Sequence, residues 1–231
     1  MPDPRPPRVV PQKADYPHPE AKGRGRRSGG DPPRGRRPSA HPSKPPQPVS
    51  ILGIDPGLSI TGYGLVRPSS IGVKRPRGSS GAECVEAGVI ESQPGQPLEG
   101  RLVEIYQGLE EVLSDLKPSV IAVEALYSHG VHPRTAILMG HVRGVVFCLA
   151  GLFRIPVIGY GATQVKKSLT GSGRASKSQV QRAVQVALNL RTPPEPLDVA
   201  DALAVALCHL DALKGPLAFR NAHDRPGHRH H

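Results

Sequence analysis

Apolar positions gather into short blocks only after residue 50, and their spacing changes along the chain. Ile51-Leu52-Gly53-Ile54 runs into Asp55, and after Pro56-Gly57 a second apolar stretch extends from Ile60 to Val66. This pattern predicts a buried strand, a tight turn and an antiparallel partner. Cys84 to Ile90 alternates as a third strand would. From Gln96 to Leu116 the period lengthens: Leu98, Leu102, Ile105, Leu109, Val112, Leu113 and Leu116 lie on one helix face, and Lys117-Pro118 stops the helix. Val120-Ile121-Ala122-Val123 is wholly apolar, so it is expected to be a central strand parallel to the first, ending on Glu124.

Arg134 to Phe153 follows as a mostly apolar helix whose interior His141 and Arg143 argue against a membrane span. Then come a strand over Ile155–Tyr160, a basic helical turn at Gln164–Lys167 and a glycine loop, Gly171-Ser172-Gly173-Arg174. An amphipathic helix from Ser176 to Leu190 precedes an Ala-rich helix from Leu197 to Leu213, opened by prolines 193, 194 and 196. Three strands, then strands alternating with helices, predict an α/β fold: a five-stranded mixed sheet flanked by helices on both faces.

Composition divides the chain. Residues 1–49 carry 11 Lys and Arg against 4 acids, about +7 of the net +11, in a Pro, Gly and Arg setting with hardly an apolar run. Such a segment cannot bury enough surface to offset its ordering entropy, so a disordered basic tail is expected there. It either adds nonspecific affinity for nucleic acid or has no role of its own. The expected folded domain is 50–213, with a polar His- and Arg-rich tail over 214–231. No run approaches the roughly 20 apolar residues of a span, which predicts a soluble, cytoplasmic protein. Cys84, Cys148 and Cys208 lie far apart in apolar surroundings, as reduced core residues would.

The acids carry the chemistry. Asp55 and Glu124 each end a strand, and Asp198 and Asp201, three apart, share a face of the last helix that continues through Ala202 and Val205 toward the sheet. Each has a plainer reading, Asp55 as a turn residue and the helix pair as complements to the macrodipole. Four carboxylates at one end of a sheet, without four basic partners, point instead to divalent cations held by oxygen, Mg²⁺ or Mn²⁺. Such clusters serve in-line displacement at phosphorus. A basic protein suits a phosphodiester substrate. Arg174 and Lys177 stand at a helix start, where cations oppose the macrodipole unless an anion is bound between them, so they read either as a phosphate site or as a solvated loop.

Six stretches in order resemble the RuvC family of crossover junction endodeoxyribonucleases: Ile51 to Val66; Val123-Glu124-Ala125-Leu126-Tyr127; Gly140-His141-Val142-Arg143-Gly144-Val145; Gln164-Val165-Lys166; Gly171 to Val180; and Asp198 to Ala204. The resemblance implies an RNase H-like fold and a homodimer that resolves Holliday junctions by paired nicks, leaving 5′-phosphate ends. It implies two Mg²⁺ per subunit, Mn²⁺ substituting, held by Asp55, Glu124, Asp198 and Asp201. It places DNA contacts at Lys166 and Lys177, and an aromatic for junction bases at Tyr127. Four-way junction DNA and the RuvA–RuvB branch-migration helicase are the implied partners. The loop Ser128 to Arg134 departs from the family pattern, and Lys74, Arg75 and Arg77 lie in a longer loop available to a DNA arm. Sugar kinases and Hsp70-like ATPases share the opening motif but need about twice this length. An RNA-acting nuclease of the YqgF type and a non-catalytic junction-binding protein remain as alternatives.

Overall fold

The structure is a computed structural model. It describes residues 49–69, 80–125 and 133–214. The chain divides into Met1–Lys44 and Pro45–His231, and every described residue falls in the second unit. Among the described residues five strands occur, β1 (Ile51–Asp55), β2 (Ile60–Pro68), β3 (Ala82–Glu91), β4 (Val120–Glu124) and β5 (Val157–Tyr160). Five helices accompany them, α1 (Leu98–Leu116), α2 (Pro133–Phe153), α3 (Ala162–Thr170), α4 (Lys177–Leu188) and α5 (Leu197–Lys214).

The sheet order is β3-β2-β1-β4-β5. β1 pairs antiparallel with β2 and parallel with β4, while β2–β3 is antiparallel and β4–β5 parallel. This is the mixed sheet the apolar pattern predicts. Because successive strand side chains point to opposite faces, β1 feeds two cores. Ile51 joins Val165, Val180, Val184 and Leu203 beneath α3, α4 and α5. Leu52 and Ile54 join Ile105, Leu109, Val142 and Leu149 beneath α1 and α2. Each fully buried Leu or Ile is worth about 1.5–3 kcal/mol relative to exposure.

Local chemistry sets the helix ends. α1 closes on Lys117 at φ 45°, whose N–H bonds the Leu113 carbonyl, and Pro118 cannot continue the helix. α4 opens with a capping box in which Ser176 accepts from the Gln179 N–H and the Gln179 side chain accepts from the Ser176 N–H.

Several expectations change in detail. The basic turn at 164–167 is part of a nine-residue helix, α3, ended by Gly171 at φ 77°. Cys208 is buried, but Cys148 is exposed on α2 and so is not a core residue. Thr135–Phe153 of α2 has the length and a mean hydropathy, 1.8, of a membrane span, and 22% of that window is buried. The expectation that no run approaches such a length is therefore corrected. One face of α2, with Val142, Val146, Leu149 and Ala150, packs in the core, while Ile137, Phe147 and Leu152 are exposed. Loop residues 70–79 with Lys74, Arg75 and Arg77, the stretch 126–132 with Tyr127, His129 and His132, and both tails lie outside the described residues.

Candidate active site

β1 and β4 run parallel with Ile54 opposite Val123, so Asp55 and Glu124 leave adjacent strands at the same sheet edge. The turn after Asp55 is held from several sides. Thr61 donates its hydroxyl to the Gly57 carbonyl at 2.8 Å, and Ser92 donates to the Leu58 carbonyl. Arg101 of α1 bonds both Ser92 (2.9 Å) and Ser59 (3.0 Å).

The other two acids arrive because α5 lies unusually close to the sheet. A Cβ at Gly53 would stand 1.9 Å from the Ala202 carbonyl oxygen, and one at Gly62 would stand 2.1 Å from that of Asp198. Only glycine permits this approach. It sets Asp198 over Gly62, the register partner of Asp55, and brings Asp201 beside the strand ends.

A cleft of about 290 Å³ opens there, and its walls include Asp55, Glu124, Asp201, Lys166 and Lys177. Burial, then repulsion from Asp201, Glu124 and Asp198, pushes the Asp55 carboxyl up to about 7. Glu124 is raised by burial and by Asp201, and drawn back by Lys166, Lys177 and Arg143. Asp55 therefore stands in the field of the other three acids. Among the described residues no His, Cys, Asp or Glu trio is gathered to metal-ligand spacing. The donor set fits a hard divalent ion: the cleft wall carries the oxygens of three acids, Asp55, Glu124 and Asp201, with no Cys or His among its lining residues.

Lys177 has an acidic partner that its sequence surroundings do not show. As the first residue of α4 it pairs with Asp201, Nζ to Oδ2 at 3.1 Å, so the anion that offsets its unfavourable place at a helix start is an acid of the site. The Asp201 hydrogen bond and charge raise its pKa. Lys166 lines the cleft, whereas Arg174 is exposed in the loop before α4.

The sequence left Arg143 without a partner. Its Nη1 donates to the main-chain carbonyl of Glu124, and its guanidinium carbon stands 5.3 Å from the Phe147 ring centroid. The Arg101 clamp and a buried hydrogen bond between the Tyr160 hydroxyl and His209 Nδ1 (2.7 Å) also escaped sequence reading. Their partners lie 9 to 49 positions apart in different elements, and no local pattern marks them.

A mixed five-stranded sheet with coupled acids at the carboxyl ends of its parallel strands, flanked by lysines, defines an RNase H-like nuclease. The family model described as "Crossover junction endodeoxyribonuclease RuvC" matches residues 51–209. A protein of that description from Rhodopirellula baltica is 48% identical over 167 residues, spanning 72% of this chain and 88% of its own. The Thermus thermophilus RuvC structure superposes with a TM-score of 0.63 at 32% identity, covering 72% of this chain and 96% of that one. A second T. thermophilus RuvC structure, in complex with Holliday junction substrate, gives 0.62 at 32% identity, covering 72% and 95%. The chain belongs to the RuvC family of crossover junction endodeoxyribonucleases.

Proposed function

We propose that the protein resolves Holliday junctions by paired, symmetric nicks through metal-dependent phosphodiester hydrolysis, leaving 5′-phosphate ends, in DNA recombination and repair. The observation that carries this reading is the position of Asp55, raised to about 7 by burial and three neighbouring acids in a cleft that also holds two lysines. Asp55, Glu124, Asp198 and Asp201 would hold two Mg²⁺ per subunit, Mn²⁺ substituting. Bound there, such ions supply a nucleophilic water and stabilise the leaving oxygen.

The chain's own residues do the rest. Lys166 and Lys177 supply positive charge in the cleft wall for backbone phosphates. Arg174, exposed ahead of α4, would extend that contact along the strand. The clamped turn after Asp55 and the glycine-tight contact of α5 fix the acids on rigid elements. Tyr127 would stack on a junction base.

Paired nicks need two sites. Exposed Ile137, Phe147 and Leu152 on α2 support a homodimer through that helix, which also accounts for its apolar length without a bilayer. RuvA–RuvB as the partner that presents the junction, and a cytoplasmic location, follow from the same reading.

The test is cleavage of a synthetic four-way junction by wild type and Asp55→Asn, in Mg²⁺ and in EDTA, with linear duplex and an RNA–DNA hybrid as controls. Nicks confined to the junction, lost in EDTA and in the variant while gel-shift binding persists, are expected. Binding without cutting by the wild type would leave a junction-binding protein, and hybrid cutting would move the substrate to RNA.

A further inference from the structure

We infer that Arg143 is a positioning residue for the nuclease, holding the end of β4 from helix α2 so that the Glu124 carboxylate stays in the cleft. The inference rests on the proposed metal-dependent nicking. Arg143 lies on the largely apolar α2, half-buried, and such a guanidinium needs partners to replace its lost water. Those it has are a carbonyl and a ring. Nη1 donates to the Glu124 main-chain oxygen, and Phe147, one helical turn on, lies beneath the guanidinium.

The place it holds is where the sheet stops. β4 ends at Glu124 opposite Tyr160, and the Ala125 N–H donates to the Tyr160 carbonyl at 2.7 Å. That bond ties the chain toward β5, and Arg143 ties it toward α2. Between these two anchors the Glu124 side chain is repelled by Asp201 and attracted by Lys166, Lys177 and, more weakly, the charge of Arg143 itself. A strand end released on one side would let the carboxylate move under those forces, and small misplacements of a reacting geometry are costly. Arg143 touches no substrate in this account; it acts through Glu124.

Full-length Arg143→Met and Arg143→Lys, compared with wild type, test this. For Arg143→Met the Mg²⁺ concentration giving half-maximal junction nicking rises at least fivefold, and Mn²⁺ binding to the DNA-free protein, read by electron paramagnetic resonance, weakens by a similar factor. Junction affinity in EDTA changes less than twofold. Arg143→Lys, which keeps a charged donor, recovers at least half of the loss on a logarithmic scale. Unchanged metal dependence in Arg143→Met, or a lysine no better than methionine, overturns the inference. If circular dichroism shows Arg143→Met unfolded, Arg143→Lys decides alone: a twofold to threefold rise in Mg²⁺ requirement supports the inference and none overturns it. If wild type fails to nick the junction, the functional reading fails, while the Mn²⁺ titration still reports on Arg143 and Glu124.

Discussion

Replacing Asp55 with Asn tests the electrostatics of the cleft apart from catalysis. Burial and three neighbouring acids raise the Asp55 carboxyl from 3.8 to about 7. At 1.36 kcal/mol per unit, keeping it ionised in the metal-free fold costs about 4 kcal/mol. The sign follows from linkage: a carboxyl raised in the folded state gives stability that is present below the unfolded value and is lost as pH rises to the folded one. Metal-free wild type therefore weakens between about pH 4 and pH 7, and Asp55→Asn, which cannot ionise, does not share that loss. The variant's advantage grows by about 3 kcal/mol between pH 5 and pH 8, which for a domain of this size is about 6–12 °C in melting temperature. Thermal and urea unfolding of both proteins in EDTA at the two pH values measures it. Saturating Mg²⁺ shrinks the advantage at pH 8 by stabilising wild type more. A variant no more stable than wild type at pH 8 in EDTA would refute the reasoning, because the acids would then not be pressed together.

Three further outcomes follow from the geometry. Gly62→Ala sets a methyl 2.1 Å from the Asp198 carbonyl, so chemical denaturation should show a loss of at least about 1–3 kcal/mol, and nicking should fall as α5 shifts. Lys166→Gln should weaken junction binding equally across sequences and reduce the slope of log affinity against log salt by about 1 in a gel-shift series. Leu152→Glu, at a side chain 61% exposed on α2, should leave the fold intact and shift sedimentation from dimer to monomer, with an unchanged dimer contradicting the α2 interface.

What the sequence determined by itself is what local periodicity and short motifs encode. The apolar block of β1, the alternation of Cys84 to Ile90, the one-face spacing of Leu98 to Leu116 and the apolar run before Glu124 specify strands, helix and parallel neighbour, and the observed sheet follows them. Asp55 and Glu124 could be placed at one edge on the same ground, since strand ends are set by where apolarity stops. Tertiary structure decided the rest, because it depends on contacts between distant elements. That Gly53 and Gly62 make room for α5 emerges only when Ala202 and Asp198 stand against them. Lys177 read either as half of a phosphate site or as part of a solvated loop, and only the fold shows that, across 24 positions, it meets Asp201. Arg143, with no acid in helical reach, finds the Glu124 carbonyl 19 residues away. Charge and hydrogen-bond partners are chosen by distance in space, and a linear pattern carries that information only within a turn or a strand pair.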